Sequence, residues 1–348
     1  MENTDGKSPT AMPDSLISQA TLQYIGYNEE IAAQYWKEWS DWPPGDILRE
    51  PDDSIRGMPF IDFATGHIKR GQMDVVDEDD QEWYHRMDSC GIAKELQDAI
   101  MDPVFKRIRL TESCFLWIAD TMRMRYRGST SPSMERVTAL SPAAESASHA
   151  PGYTIVFKTV DEARISGLHD SDGKVINLQS LISSAPSDFH RSESAFYFTI
   201  DREIAVYYAN YAKRWNKVDS VVIVQMAIPN SAIESLSETE RLRVYWPSAE
   251  WKNLVFHCRT NTRLPSDFAS SDRLRLPNKV YRKLDSAEQI TEHMVLRTRG
   301  GRQAIQYVWP VEGGEEFLEE HGIQNLKFFP LTAREHEEWY KNELLGRS

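Results

Sequence analysis

Apolar positions repeat with two different periods in the two halves of the chain. From Tyr27 to Arg127 the spacing is helical. In YNEEIAAQYWKEW, Asn28 is a cap, Glu29 and Glu30 sit in the first turn, and Ile31, Tyr35 and Trp39 share one face. A second helix is expected in SCGIAKELQDAIMDP, opened by Ser89, with Ile92, Leu96 and Ile100 four apart and Pro103 as its stop. A third, in TESCFLWIADTMRMRYR, is expected to open at Thr111 and carry a stripe of Phe115, Ile118, Met122 and Tyr126. The acidic run VVDEDDQEW between the first two reads as a solvated loop or a helix start.

Beyond Gly152 the pattern is that of strands. YTIVFK, SAFYFT, SVVIVQMAI, NLVFHCR, HMVLRTR and AIQYVW are short, rich in β-branched and aromatic residues, and separated by clusters of turn formers. Helices are sparser: one after Thr199, one around Ser231 to Arg241 and one at GEEFLEEHG. The pairs Gly300-Gly301 and Gly313-Gly314 read as hairpin turns. Between the halves, residues 127–152 are rich in Ser, Ala, Pro and Gly and read as a flexible linker. The expected organisation is a disordered tail (1–15), a helical region (16–126), the linker (127–152), an α+β domain with antiparallel pairing (153–335) and a C-terminal tail (336–348).

Composition narrows the function classes. The chain has 348 residues, 41% hydrophobic and 27% charged, as expected of a globular protein. Its net charge of -13 argues against a general nucleic-acid binder, although a local basic pocket is compatible with it. No apolar run reaches the ~20 residues of a membrane span. The start MENTDGKSPT lacks the features of a secretory signal. The 3 cysteines, Cys90, Cys114 and Cys258, are widely spaced and point to a reducing compartment, the cytoplasm, rather than to disulfides. Neither Cys-x-x-Cys nor His-Glu-x-x-His occurs, so the sequence offers no zinc site, and neither common phosphate-binding glycine loop is present. His169-Asp170 with Asp172-Gly173 reads as a turn rather than a calcium loop.

The candidate chemistry lies in SAFYFTIDREIAVYYANYAKR, where Phe196, Tyr197, Tyr207, Tyr208 and Tyr211 crowd one strand–helix unit. These rings form either a core cluster or a clamp for a flat ligand. Lys158 and Thr159 end the strand before it, and Glu250 follows it in VYWPSAEWKNLVFHCR, ahead of an expected strand. This order of a cationic strand end, an aromatic strand–helix unit and a carboxylate resembles the ADP-ribosyltransferase superfamily. Tyr197 and Tyr208 are eleven residues apart, like the nicotinamide-sandwiching pair of the poly-ADP-ribose polymerase branch, and Glu250 stands where that family's catalytic glutamate stands. The chain as a whole also resembles a group of fungal proteins, which implies no activity.

The superfamily resemblance implies two small antiparallel sheets around a cleft that takes NAD as substrate. Tyr197 and Tyr208 would clamp nicotinamide, and Glu250 would stabilise the positive charge that develops on the ribose carbon. Lys158 or Arg164 would neutralise the pyrophosphate, and Thr159 would lie beside the nicotinamide amide. The sequence departs from the family at several anchors. Lys158 replaces an Arg or His, Thr159 a glycine, Ala205 the serine that bonds the amide, and Ser248 the residue that selects the acceptor. Three functions therefore stand open. The first is an NAD-consuming enzyme, either an ADP-ribosyl (glycosyl) transferase with a possible protein acceptor or an NAD glycohydrolase. The second is a non-NAD enzyme acting on a small aromatic or apolar metabolite, with Glu250 as acid or base alongside His257 or His190. The third is a catalytically inert interaction module. All three point to a small-molecule or protein partner, not to nucleic acid or membrane.

Overall fold

The computed structural model describes residues 13–42, 57–69, 74–75, 78–130, 151–166, 168, 177–183, 189, 194–215, 221–238, 240–260, 274–276, 286–292 and 295–345. Most of the expected N-terminal tail and linker lies outside these residues. The protein is α+β, and the chain divides into two compact units: residues 1–132 with 212–219, and residues 133–211 with 220–348.

The first unit is helical. It holds α1 (Gln19–Ile25), α2 (Glu29–Ser40), α3 (Phe60–Gly66), α4 (Asp80–Ser89), α5 (Lys94–Ile100), α6 (Lys106–Arg109) and α7 (Cys114–Thr130). Asn28 caps α2 as expected, its Oδ1 accepting from the Ile31 amide at 2.9 Å. The acidic run is a helix start, since the Asp79 carboxylate accepts from the Gln81 amide at 2.8 Å and so caps α4. Ser89 closes α4 instead of opening the next helix. The reason is Gly91, which adopts φ +68° and lies so close to Ile31 that a Cβ there would stand 2.2 Å from its side chain. The chain turns at that contact, and α5 begins only at Lys94. Helix α7 runs to Thr130, into the stretch expected to be linker.

One fully buried cation ties this unit together. The Arg125 guanidinium donates to the Trp215 carbonyl at 2.9 and 2.5 Å, to the Tyr24 carbonyl at 3.4 Å and to Glu95 at 3.1 Å. Trp215 belongs to the short segment contributed from later in the chain.

Among the described residues, the second unit is built on one seven-stranded sheet rather than the two small sheets expected. Its strands are β1 (Tyr153–Asp161), β2 (Ala195–Thr199), β3 (Val221–Pro229), β4 (Arg241–Arg243), β5 (Leu274–Leu276), β6 (Gln306–Pro310) and β7 (Leu326–Pro330), in the order β4-β5-β6-β2-β1-β3-β7. All neighbours are antiparallel except β4 and β5. The long β1–β3 pair, in register from Tyr153↔Pro229 to Asp161↔Val221, forms the spine. Around the sheet lie α8 (Glu162–Ser166), α9 (Arg202–Trp215), α10 (Asn230–Ser235), α11 (Ala249–Thr260), α12 (Val311–His321) and α13 (Ala333–Leu345).

Alternation along the strands separates two faces. On one, Val156, Val160, Phe196, Phe198, Val224 and Trp309 form a core with Leu178 and Leu181 and with residues of α10 and α12. On the other, Ala195, Tyr197 and Val308 pack beneath Trp251, Leu254, Val255 and Cys258 of α11. On that second face the Thr159 hydroxyl also donates to the Ala205 carbonyl of α9 at 2.8 Å.

Several expectations change here. Residues 295–299 of HMVLRTR are not a strand, Arg297 making only an isolated bridge to Gln303, and the helix expected around Ser231 to Arg241 ends at Ser235, Arg241 opening β4. Asn253–Arg259, expected as a strand, is helical: Ser248 Oγ accepts from the Trp251 amide at 3.1 Å, and the apolar residues from Trp251 onward fall at spacings of three and four. Gly313-Gly314 is not a hairpin turn but the kinked start of α12, where Gly314 presses so closely on β6 that a Cβ would lie 2.7 Å from Trp309 Cβ. Residues 336–345, expected as a tail, belong to α13. A Thr332–Glu335 capping box opens that helix, with the Thr332 amide donating to the Glu335 carboxylate at 2.9 Å. Among the described residues, no helix is long and apolar enough to cross a membrane.

Candidate functional site

The residues expected around NAD do not gather in one place. Lys158 and Thr159 are consecutive on β1, so they project from opposite faces of the sheet. Lys158 lies on the first face, buried, where its ammonium donates to Ser183 Oγ at 2.6 Å and to the Tyr197 carbonyl at 3.3 Å. Its Nζ also lies 5.9 Å from the centroid of the Phe198 ring. Arg164 donates to the neighbouring Ile182 carbonyl. Both cations therefore fasten the Leu178–Ser183 segment to the sheet.

Tyr197 points to the opposite face. Its hydroxyl accepts from the Phe189 amide at 3.2 Å, and its ring stands 6.3 Å from that of Phe189. Tyr208, on α9, packs instead with Ile204, Leu296 and Ala304. The two tyrosines thus belong to separate apolar clusters. Glu250 sits in the first turn of α11 and is exposed. At that position a carboxylate favours the positive end of the helix dipole. His257 is on the same helix, with its ring 5.3 Å from that of Phe256, while His169, Asp170 and His190 lie outside the described residues.

The other rings of the aromatic stretch disperse as well. Phe196 and Phe198 enter the first-face core, and Phe198 meets Trp309 edge-on at 5.7 Å. Tyr211 is fully buried, and Tyr207 stands 5.6 Å from Trp339. Alternation on β2 and the helical turn of α9 send five neighbours in sequence to different destinations.

A concave site does exist elsewhere in this unit. It lies between α9, α13 and the edge strand β7, with a volume of about 480 Å³. Arg202, Val206 and Asn210, spaced four apart, present one face of α9 to it. Ile223 of β3 contributes from the sheet, β7 adds Phe328, Phe329 and Pro330, and Leu331 with Glu335 and Trp339 completes the far wall. Most of these side chains are apolar, and the volume falls within the range of small-molecule pockets.

The polar groups in the groove are few. Asn210 is buried, its amide donating to the Val206 carbonyl at 2.8 Å and its Oδ1 lying 2.9 Å from His336 Nδ1. Arg202 is exposed, with its guanidinium 5.8 Å from the centroid of the Phe329 ring. Among the described residues its guanidinium makes no hydrogen bond or ion pair. Glu335 uses Oε2 to accept from the Thr332 amide and hydroxyl, at 2.9 and 2.8 Å. Those two bonds, together with the positive charge of Arg202, hold its carboxyl below the usual glutamate range.

The sequence reading missed this site because it placed no strand at Leu326–Pro330 and no helix after it. The Thr-x-x-Glu box at Thr332–Glu335, followed by Trp339 and Tyr340 within a charged run, is the signal that could have revealed α13.

Among the described residues, no group of three or more His, Cys, Asp or Glu side chains is placed to hold a metal ion. No family model, no curated protein and no solved structure matches the chain.

Proposed function

We propose that the sheet unit binds a small, largely apolar organic molecule in the groove between α9 and α13. The observation that carries this reading is the groove itself: a concavity of about 480 Å³ walled by Val206, Ile223, Phe329, Leu331 and Trp339, with the Arg202 guanidinium at its lining. Aromatic walls suit a flat ligand, and offset stacking on one such ring is worth about 0.5–1.5 kcal/mol beyond the area buried. NAD consumption, by transfer of ADP-ribose or by hydrolysis, is the less favoured reading. It needs Tyr197, Tyr208 and Glu250 around one ligand with a cation at hand. Tyr197 and Tyr208 pack in different clusters, Glu250 is exposed, and Lys158 and Arg164 fasten a segment on the other face of the sheet.

Calorimetric titration separates the two readings, with indole as a neutral flat probe and NAD in parallel, while nicotinamide release is followed. The groove reading expects one saturable indole site, lost in Val206→Trp, which fills the groove, and retained in Glu250→Ala. Circular dichroism checks that both variants are folded. Nicotinamide release that disappears in Glu250→Ala would instead establish the NAD reading. Indole binding that ignores Val206→Trp would remove the groove from consideration.

A further inference from the structure

We infer that the ligand of this groove is amphoteric, an α-amino acid with an aromatic side chain, its carboxylate held by Arg202 and its ammonium by Glu335. The inference rests on the groove being a binding site and adds the chemistry of the ligand.

Two opposite charges stand at the same apolar concavity without neutralising each other. Arg202 and Glu335 both line it, and Arg202 is near enough to bias the Glu335 carboxyl towards its ionised form. Yet they form no ion pair, and the Arg202 guanidinium has no hydrogen-bond partner among the described residues. Glu335 engages its own helix start through Oε2 alone, which leaves Oε1 for a donor from outside. A monoanion would gain from Arg202 and lose by repulsion from Glu335, and a monocation would meet the reverse. A zwitterion gains from both, because its two charges sit on either side of one carbon.

The surroundings add to each half of the match. Arg202 is the first residue of α9, so the positive end of that helix dipole reinforces its attraction for a carboxylate. The guanidinium lies 5.8 Å from the centroid of the Phe329 ring, and its planar fork suits a two-oxygen acceptor. Val206, Ile223 and Trp339 supply the wall against which an aromatic side chain would lie. Each charged contact is worth about a tenfold to hundredfold change in affinity where water is partly excluded.

The test compares four ligands that share one ring system: L-tryptophan, indole-3-propionate, tryptamine and 3-methylindole. Titrated by calorimetry at pH 7 against the full chain, L-tryptophan should bind at least about tenfold more tightly than the two singly charged analogues. In Arg202→Met the advantage of L-tryptophan over tryptamine should vanish. In Glu335→Gln, which can still cap α13, its advantage over indole-3-propionate should vanish instead. Equal binding of all four ligands at a site abolished by Val206→Trp would overturn the amphoteric ligand and leave the groove reading standing. Failure of 3-methylindole and of every other ligand to bind would overturn both.

Discussion

Lys158 shows how far a single residue's role depends on its neighbours. As a charge at the end of an apolar strand it invites a reading as a phosphate ligand, but its ammonium is spent on Ser183 and the Tyr197 carbonyl within a closed core. Replacing it with methionine keeps the apolar stem and strands those two acceptors. The expected loss is about 1–3 kcal/mol of unfolding free energy, measured by urea denaturation. Glu250→Ala, in contrast, should change stability by less than about 1 kcal/mol, because the carboxylate is exposed and loses only its interaction with the helix end. A large effect at Glu250 with none at Lys158 would reverse the roles assigned here. The separation of Lys158 from Thr159 was legible in the sequence, since a strand once recognised must send consecutive side chains to opposite faces. What was not legible is the partner of each. Ser183 is twenty-five residues from Lys158, and no spacing rule connects them.

Among the elements, those formed by long uninterrupted patterns were readable and those decided by a cap were not. The continuous apolar run of β3, the alternation in β1 and β2, and the Asn28 cap of α2 all appear in the structure where the sequence puts them. NLVFHCR has the composition of a strand, but Ser248 starts a helix five residues upstream and the whole segment follows. Gly313-Gly314 has the composition of a turn, but the missing Cβ of Gly314 is needed for α12 to lie against Trp309. Gly314→Ala should therefore cost about 1–3 kcal/mol, since the nearest atoms include Trp309 backbone that cannot rotate away. A thermal or urea midpoint unchanged from wild type would show that α12 can slide to make room. The groove was invisible for a related reason: it is made by α9, α13 and β7 together, and two of these three were absent from the sequence reading.

For the molecule as a whole, the buried thiols set a limit in alkali. Burial pushes Cys90 from an ordinary value of 9.0 up to about 11 and raises Cys114 in the same direction. In that window the unfolded chain has released a proton that the folded chain retains, so the thiols make stability fall as pH rises from about 9 towards 11. Below pH 9 both states hold the proton and the contribution is flat. Urea midpoints at pH 8 and pH 10 should converge more closely in Cys90→Ala than in wild type. Equal pH dependence in the two proteins would show that this thiol is not shielded.

The helical unit takes in the last turn of α9, Ala212 to Trp215, and Trp215 provides the carbonyl that the buried Arg125 requires. During synthesis, the ribosome delivers helices α1 to α7 long before that segment exists. Until β1, β2 and α9 have been translated, Arg125 is a buried charge without its main acceptor. The first part of the chain to be made is thus unable to finish folding first, and nascent chains halted near residue 132 should remain open to proteases that the released protein resists.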